Sequence, residues 1–234
     1  MRDRLLPLAS MLAIAGVVLP LAGALGTRWG LWRFVAGFSL LAIGVLAALA
    51  AIVLGIVGGS TSGRWGLAGA VVVCGLVMVA VPVSVLVAAR GAPAIHDIST
   101  DTETPPQFSE LLPLRDADAS PAAYDGAAAA EQQRRAYPDV QPILVAAPPQ
   151  QAMTRAIDSA RALGWTIVGQ DPGRGTLEAI DRTFWFGFTD DVVVRVSPAG
   201  NGSRVDIRSK SRVGIGDLGA NARRIRAFAA EMRQ

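Results

Sequence analysis

The residues best suited to chemistry lie near the carboxyl end of the 234-residue chain. From Ser203 to Ile215, Val205, Ile207, Val213 and Ile215 alternate with Arg204, Asp206, Arg208, Lys210 and Arg212. Folded as a strand, the segment carries its aliphatic side chains on one face and its charges on the other. Four cations and one anion along a single face repel one another unless carboxylates or a ligand anion oppose them. Two readings follow. The charges form a solvated sheet face paired with Glu178, Asp181 or Asp190 on adjacent strands, or they form a surface that binds a carboxylate, a phosphate or a lipid headgroup. The loop that follows, Gly214-Ile215-Gly216-Asp217-Leu218-Gly219, matches G-x-G-x-x-G letter for letter. Dinucleotide binding is rejected, because that fingerprint needs a following parallel strand and an acid about twenty residues on, and fifteen residues follow Gly219. Helix entry explains the loop better: the glycines allow a tight strand-to-helix turn, Asp217 accepts hydrogen bonds as N-cap, and Asn221 braces the turn. Backbone N–H groups left beside Arg212 suit an anion. The anion-binding candidates are therefore Arg204, Arg208, Lys210, Arg212, Gly214, Gly216, Asp217 and Asn221.

Catalytic constellations are weaker. Neighbours on a strand point to opposite faces, so in Ser209-Lys210-Ser211 the lysine cannot activate either serine. His96 beside Asp97 has the composition of a general base, but a single histidine in a connector more commonly caps or faces solvent. Asp97, Asp101 and Asp217 are the carboxylates an envelope hydrolase or transferase would use. The run Phe184-Trp185-Phe186 reads as alternating strand residues packed in a core, with an exposed Trp185 near a bilayer as the exception of interest. One cysteine, Cys74, and one histidine, His96, exclude an internal disulfide and leave no pair of nitrogen or sulfur ligands for zinc. No catalytic residue, metal or cofactor is assigned, and binding is favoured over catalysis.

The residues from Val140 on have the pattern of a compact domain. Ile143–Val145 is a short strand candidate; Met153, Ile157, Ala160 and Leu163 repeat at helical spacing until Gly164. Strands are expected over 165–169, 176–188, 192–197 and 203–210, separated by the turn sequences Asp171-Pro172-Gly173, Thr189-Asp190-Asp191 and Pro198 to Gly202. A closing helix is expected from about Leu218 to Met232, with Leu218, Ile225, Phe228 and Met232 on its apolar face. The expectation is an α+β fold, an antiparallel meander flanked by two helices. Residues 91–150 carry a net charge of minus six and 151–234 a net of plus four, so the high pI of about 9.7 is no sign of nucleic-acid binding. The acidic, Pro- and Ala-rich stretch 91–139 reads as an extended connector, with a short helix through Ala127–Ala130 and strand-like composition in Ile95–Thr100.

The first ninety residues are different in kind. Leu5–Leu25, Phe34–Val57 and Leu67–Ala89 are 21, 24 and 23 residues long without an ionisable side chain. Each covers the roughly 30 Å hydrocarbon core at 1.5 Å per residue, and none shows the polar stripe of a soluble helix. Acids, histidine and lysine are missing from these stretches, which argues against an ion or proton pathway. Ala47, Ala51 and Gly55 form a small-residue face for close helix packing or an oligomer contact; Pro82 is placed to kink the third span, and Trp29, Trp32 and Trp65 flank the spans as interfacial anchors. Arg2, Arg4 and Arg64 on one side balance Arg28, Arg33 and Arg90 on the other. The first span, led by Arg2 and Arg4, sets its start as cytoplasmic, and three crossings put everything after Arg90 outside. Cleavage after Ala22-Gly23-Ala24 is the rival reading and gives the same side.

Four segments, IHDISTDTETPPQF (Ile95–Phe108), AYPDVQP (Ala136–Pro142), FGFTDDVVVRV (Phe186–Val196) and RVDIRSKSRVGIGDLGANARRIRAF (Arg204–Phe228), resemble the bacterial and plastid family known as domain of unknown function 1499. The resemblance covers roughly residues 91–232, its last segment being the most specific, and three leading spans are similar to a common arrangement in that family. The family implies a domain rather than a reaction, and its lipoprotein-anchored members imply a periplasmic location. The order of elements is also similar to the helix-grip domains of outer-membrane assembly lipoproteins, by fold analogy alone. The expected organisation is a three-helix transmembrane region (1–90), a connector (91–139) and an α+β domain (140–234). The expected role is that of a Gram-negative inner-membrane protein whose periplasmic domain binds a protein partner or an anionic envelope ligand. Envelope catalysis and lipid carriage are the alternatives, and an oligomer is possible.

Overall fold

The computed structural model describes residues 4–233; Arg2, used above for orientation, and Gln234 lie outside them. Two compact units form, one of residues 1–90 with 183–187, the other of 91–182 with 188–234.

In the first unit α1 (Leu5–Arg28), α2 (Phe34–Ser62) and α3 (Trp65–Ala88) follow the uncharged stretches, and all three are long and apolar enough to cross a membrane. Their burial is inverted relative to a soluble bundle. The buried positions of α2 are Gly37, Gly44, Ala48, Ala51, Gly55, Gly58 and Gly59, whereas Leu46, Val53, Val73 and Leu86 face outward. Small residues let backbones approach where no hydrophobic drive operates between helices in lipid. A Cβ on Gly23 would lie 2.5 Å from the Gly37 carbonyl oxygen, and one on Gly44 2.3 Å from Pro20 Cδ. Ala51 and Gly55 belong to this stripe; Ala47 is only half-buried, its place taken by Ala48. Pro82 lies inside a continuous α3. Trp29 and Trp65 are exposed, but Trp32 packs on Gly26 and donates its indole N–H to the Gly23 carbonyl.

The second unit holds β1 (Asp97–Ser99), α4 (Gly126–Ala136), β2 (Ile143–Val145), α5 (Pro149–Ala162), β3 (Thr166–Asp171), β4 (Thr176–Arg182), β5 (Thr189–Ala199), β6 (Gly202–Ser211) and α6 (Ala220–Glu231). The sheet runs β1-β6-β5-β4-β3, and β2 pairs with β6 beside β1. All pairings are antiparallel, so the α+β meander with flanking helices is as expected. Gly164, at φ +77°, ends α5 in the left-handed conformation that glycine tolerates. On one sheet face Leu177, Ala179, Val192, Val194, Val205 and Ile207 pack with Ala152, Ala156 and Ala160 of α5 and Ala222, Ile225 and Phe228 of α6; the Trp165 ring stacks on Phe228 with centroids 5.4 Å apart. Leu218 is not part of the α6 apolar face and is 47% exposed.

Two expectations change. Strand β4 stops at Arg182, and Thr189-Asp190-Asp191 lies inside β5 rather than forming a turn. Residues 183–188 make the connection, with Gly187 at φ +67° and its N–H bonded to the Thr183 carbonyl. Adjacent acids read as turn formers when their partners are out of sight, and here both are buried against arginines. Phe184 and Trp185 accordingly leave the strand and are 74% and 52% exposed. The stretch 91–139 is also more than a spacer. It supplies β1, and Phe108 and Leu111 pack on Val193 across the sheet face opposite the helices. The sheet is therefore covered on both faces.

Candidate functional site

Alternation along β6 sends Ser209 and Ser211 to the helix face, where both hydroxyls meet Asn221. Arg204, Asp206, Arg208, Lys210 and Arg212 go to the other face, beneath the 100–125 segment. Register decides what they find there. Lys210 pairs across with Asp97 on β1 and with Asp191 on β5, and directly opposed residues share a face at short range.

Arg208 and Asp97 are both fully buried and form a two-pronged pair: the guanidinium Nε donates to Oδ1 and Nη2 to Oδ2, each at 2.8 Å. Its remaining donors reach the carbonyls of Pro106 and Ala122, and its Cζ lies over the rings of Phe108 and Tyr124, 4.7 and 5.4 Å from their centroids. Lys210 donates to Asp97 Oδ2 at 3.1 Å, to Asp125 and to the Ala123 carbonyl. Arg212 donates to Asp191 Oδ1 at 3.0 and 2.8 Å and to the Leu114 carbonyl, while Arg115 holds the other Asp191 oxygen. Arg204, the most exposed of the row, shares Asp206 and Asp101 with Arg195. Burial pushes the Asp101 carboxyl up, but the Thr104 and Glu103 N–H groups, the Thr104 hydroxyl and Arg204 outweigh it and hold it below the usual carboxylate range. Burial likewise drives the Tyr124 hydroxyl up to about 12, with the Asp97 charge adding to it.

The helix face has its own ion cluster. Asp181 and Asp190 stand opposite one another on β4 and β5, and Arg224 of α6 bridges them at 2.7 and 2.5 Å. Burial raises the Asp190 carboxyl in spite of that partner.

The eight candidates therefore do not converge on one ligand. Arg208, Lys210 and Arg212 are buried and already opposed by carboxylates, and those are Asp97, Asp125 and Asp191 rather than Glu178, Asp181 or Asp190. Glu178 instead accepts the N–H groups of Ser109, Glu110 and Leu111 and pins the covering segment. The N-cap of α6 is Gly219 rather than Asp217, which braces the turn from two residues ahead by accepting the N–H groups of Gly219 and Asn221 at 2.7 Å. Gly214 sits at φ +95°, and Gly216 lies against Ala94, where a Cβ would come within 3.2 Å of its Cα. Asn221 is buried on the opposite face from Arg208 and donates to the His96 carbonyl and the Ser211 hydroxyl. Asp97, Asp101 and Asp217, the candidate catalytic acids, are all engaged. His96 is buried, with Nε2 3.3 Å from Asp125 rather than beside Asp97. Ser209 and Lys210 point to opposite faces, as strand geometry requires. Among the described residues no group of three metal-ligating side chains forms.

One open feature of this unit is a cleft of about 300 Å³ lined by Leu163, Trp165, Asp181, Ala220, Arg223, Arg224 and Ala227. Arg223, exposed on α6, spends one N–H on the Leu218 carbonyl. Sequence reasoning missed this cleft, together with Asp191, Arg115 and Arg224, and gave Asp190 the wrong partner. A signal was present for Asp190 and Asp191, since they continue the alternation of Val192 to Val196 in phase.

A family model described as protein of unknown function (DUF1499) matches residues 97–232. The chain belongs to this family. No curated protein matches the sequence. The family's extent in this chain begins at β1 and ends in the last turn of α6, so it takes in the covering segment as well as the meander. The resemblance drawn from Arg204–Phe228 thus rests on the strand and helix that hold both ion clusters.

Proposed function

We propose that this is a multi-pass inner-membrane protein of a Gram-negative bacterium whose DUF1499 domain stands in the periplasm and binds a protein partner or an anionic envelope ligand without catalysing a reaction. One observation carries the non-catalytic part. Asp97, Asp101, Asp190, Asp191, Asp206, Asp217 and Glu178 are each held by a cation or by backbone N–H groups, so their bonding capacity is spent inside the domain. These charges build a scaffold. The lipid-carriage alternative finds no support in the sheet–helix interface, which Ile225, Phe228 and Trp165 fill.

The reading moves anion binding from the β6 row to the cleft. Its volume lies at the lower end of ligand sites, and Arg223 offers the cation not yet matched by a carboxylate. Titration of the full chain with glycerol phosphate, followed by the Trp165 indole resonance, should give a saturable shift that Arg223→Glu abolishes.

Orientation is supported by Arg4 ahead of the first span and by an odd number of crossings. Alkaline phosphatase fused to the carboxyl terminus should be active and a cytoplasmic fluorescent protein dark. The reverse pattern overturns the periplasmic assignment and the envelope ligands with it.

A further inference from the structure

Three features meet at one end of the sheet. Strand β6 ends at Ser211, opposite Asp190 near the start of β5. Strand β4 ends at Arg182, opposite Thr189. Strand β1 begins at Asp97, opposite Lys210. The β6–α6 loop and the point where the chain enters the domain therefore share that end. The loop displays apolar side chains to solvent, Ile215 at 85% and Leu218 at 47% exposure. The display is built rather than incidental. Leu218 adopts φ +53°, a left-handed conformation that is strained for a leucine. Asp217 holds the turn through Gly219 and Asn221, and Arg223 holds the Leu218 carbonyl. The loop also rests on the incoming chain, with Gly216 against Ala94 and Gly219 near Ala92.

That contact fixes a chain distance. Ala92 and Ala94 follow Ala88, the last residue of α3, by four and six residues, and an extended chain advances at most about 3.5 Å per residue. The 214–219 loop is thus joined to the end of a span by a linker of no more than roughly 20 Å. An isoleucine and a leucine with exposed Arg223, which holds the Leu218 carbonyl, have the composition of side chains that sit at the headgroup level of a bilayer. Neutral apolar tips with a cationic flank fit a lipid surface.

We propose that the 214–219 loop docks the domain onto the bilayer that its own spans occupy, with Ile215 and Leu218 entering the lipid interface. The spanning assignment underlies this inference; the side of the membrane does not. Docking holds the cleft-bearing domain at the lipid surface instead of letting it swing on its linker.

The test uses full-length protein in vesicles of phosphatidylethanolamine and phosphatidylglycerol, with Cys74→Ala as background and a nitroxide placed at one position at a time. Ile215→Cys is the probe. Leu144→Cys, 77% exposed on β2 at the opposite end of the sheet, is the aqueous reference, and Leu46→Cys on α2 reports the spans. The Ile215 label should favour oxygen over a water-soluble nickel chelate and read a depth of about 5–10 Å, whereas the Leu144 label should favour nickel. An Ile215 label as open to nickel as Leu144, or shielded from both reagents by a protein partner, overturns docking. A Leu46 label open to nickel would instead overturn the spans.

Discussion

Replacing Asp97 by Asn tests whether the buried ion network holds the domain together. The substitution keeps shape and removes one negative charge from a carboxylate with no exposed surface that receives Arg208 twice at 2.8 Å and Lys210 at 3.1 Å. What remains is two fully buried cations facing one carboxylate, Asp125, and an amide whose NH₂ group points at a donor. Removing one partner of a buried pair costs about 3–5 kcal/mol, because the stranded charge keeps its desolvation penalty. The neighbours soften this somewhat, since Arg208 retains two carbonyls and two aromatic faces. For a domain of this size each kcal/mol moves the midpoint by about 2–4 °C, so thermal unfolding in nanodiscs, followed by near-ultraviolet circular dichroism, should fall by about 10 °C. Asp116→Asn, a control 79% exposed and 3.9 Å from Arg212, should cost less than about 1 kcal/mol. Adding Lys210→Met to Asp97→Asn should recover part of the loss by restoring charge balance. A midpoint for Asp97→Asn within about 2 °C of the parent would refute the claim that these charges are structurally coupled.

Arg224→Met should be as damaging as Asp97→Asn, about 3–5 kcal/mol, because it leaves Asp181 and Asp190 facing each other; a second change, Asp190→Asn, should rescue it. Asp190 is already pushed up by burial, so the favourable contribution of its protonated form is complete below the ordinary carboxylate range and lost as pH rises through the folded value. The Arg224→Met defect should therefore shrink in acid, and equal loss at pH 4 and pH 8 would contradict the pairing. Both tyrosines are shifted up, Tyr124 to about 12 by burial and the Asp97 charge, and Tyr137 by burial and Asp217. Raised folded values mean stability is intact below about pH 10 and lost above it, so phenolate absorbance should appear only as the domain unfolds in alkali; reversible ionisation of the folded domain near pH 10 would be inconsistent. In the spans, Gly23→Val should disrupt the α1–α2 contact and lower the yield of folded protein in membranes, while Gly66→Ala, with open space around it, should be silent; equal yields would mean the close approach is not needed.

The spans were legible because an uncharged run of that length has one common solution, and the meander because turn chemistry and alternation agree over β3 to β6. What escaped notice was partnership. Arg208 and Arg212 looked like a displayed basic edge because their acids, Asp97 and Asp191, are distant in sequence or disguised as a turn. Residues 100–125 carry too few apolar side chains to announce burial, yet Phe108, Leu111 and the Glu178 carboxylate suffice to lay them over the sheet. The aromatic run failed in the opposite direction: its alternation was real, but β4 ends before it. Leu218 was placed on the α6 apolar face by spacing alone, and its positive φ turns it outward.

The most family-specific stretch of the sequence, Arg204–Phe228, contains both ion clusters, and nearly every polar side chain in it is consumed by another residue of the same domain. Such a stretch specifies the fold: a row of cations that matches carboxylates from β1, β5 and the covering segment is satisfied in one strand register, because a shift by one residue would send the cations to the apolar helix face. Buried charges that fix register contribute little net stability and much uniqueness. On the reading proposed above, recognition falls to what the scaffold leaves outside, namely Arg223 at the Trp165 cleft and the apolar tips of the 214–219 loop. Variants that alter ligand or lipid association without lowering the melting midpoint should map to those positions, and variants within the β6 row should move the midpoint first.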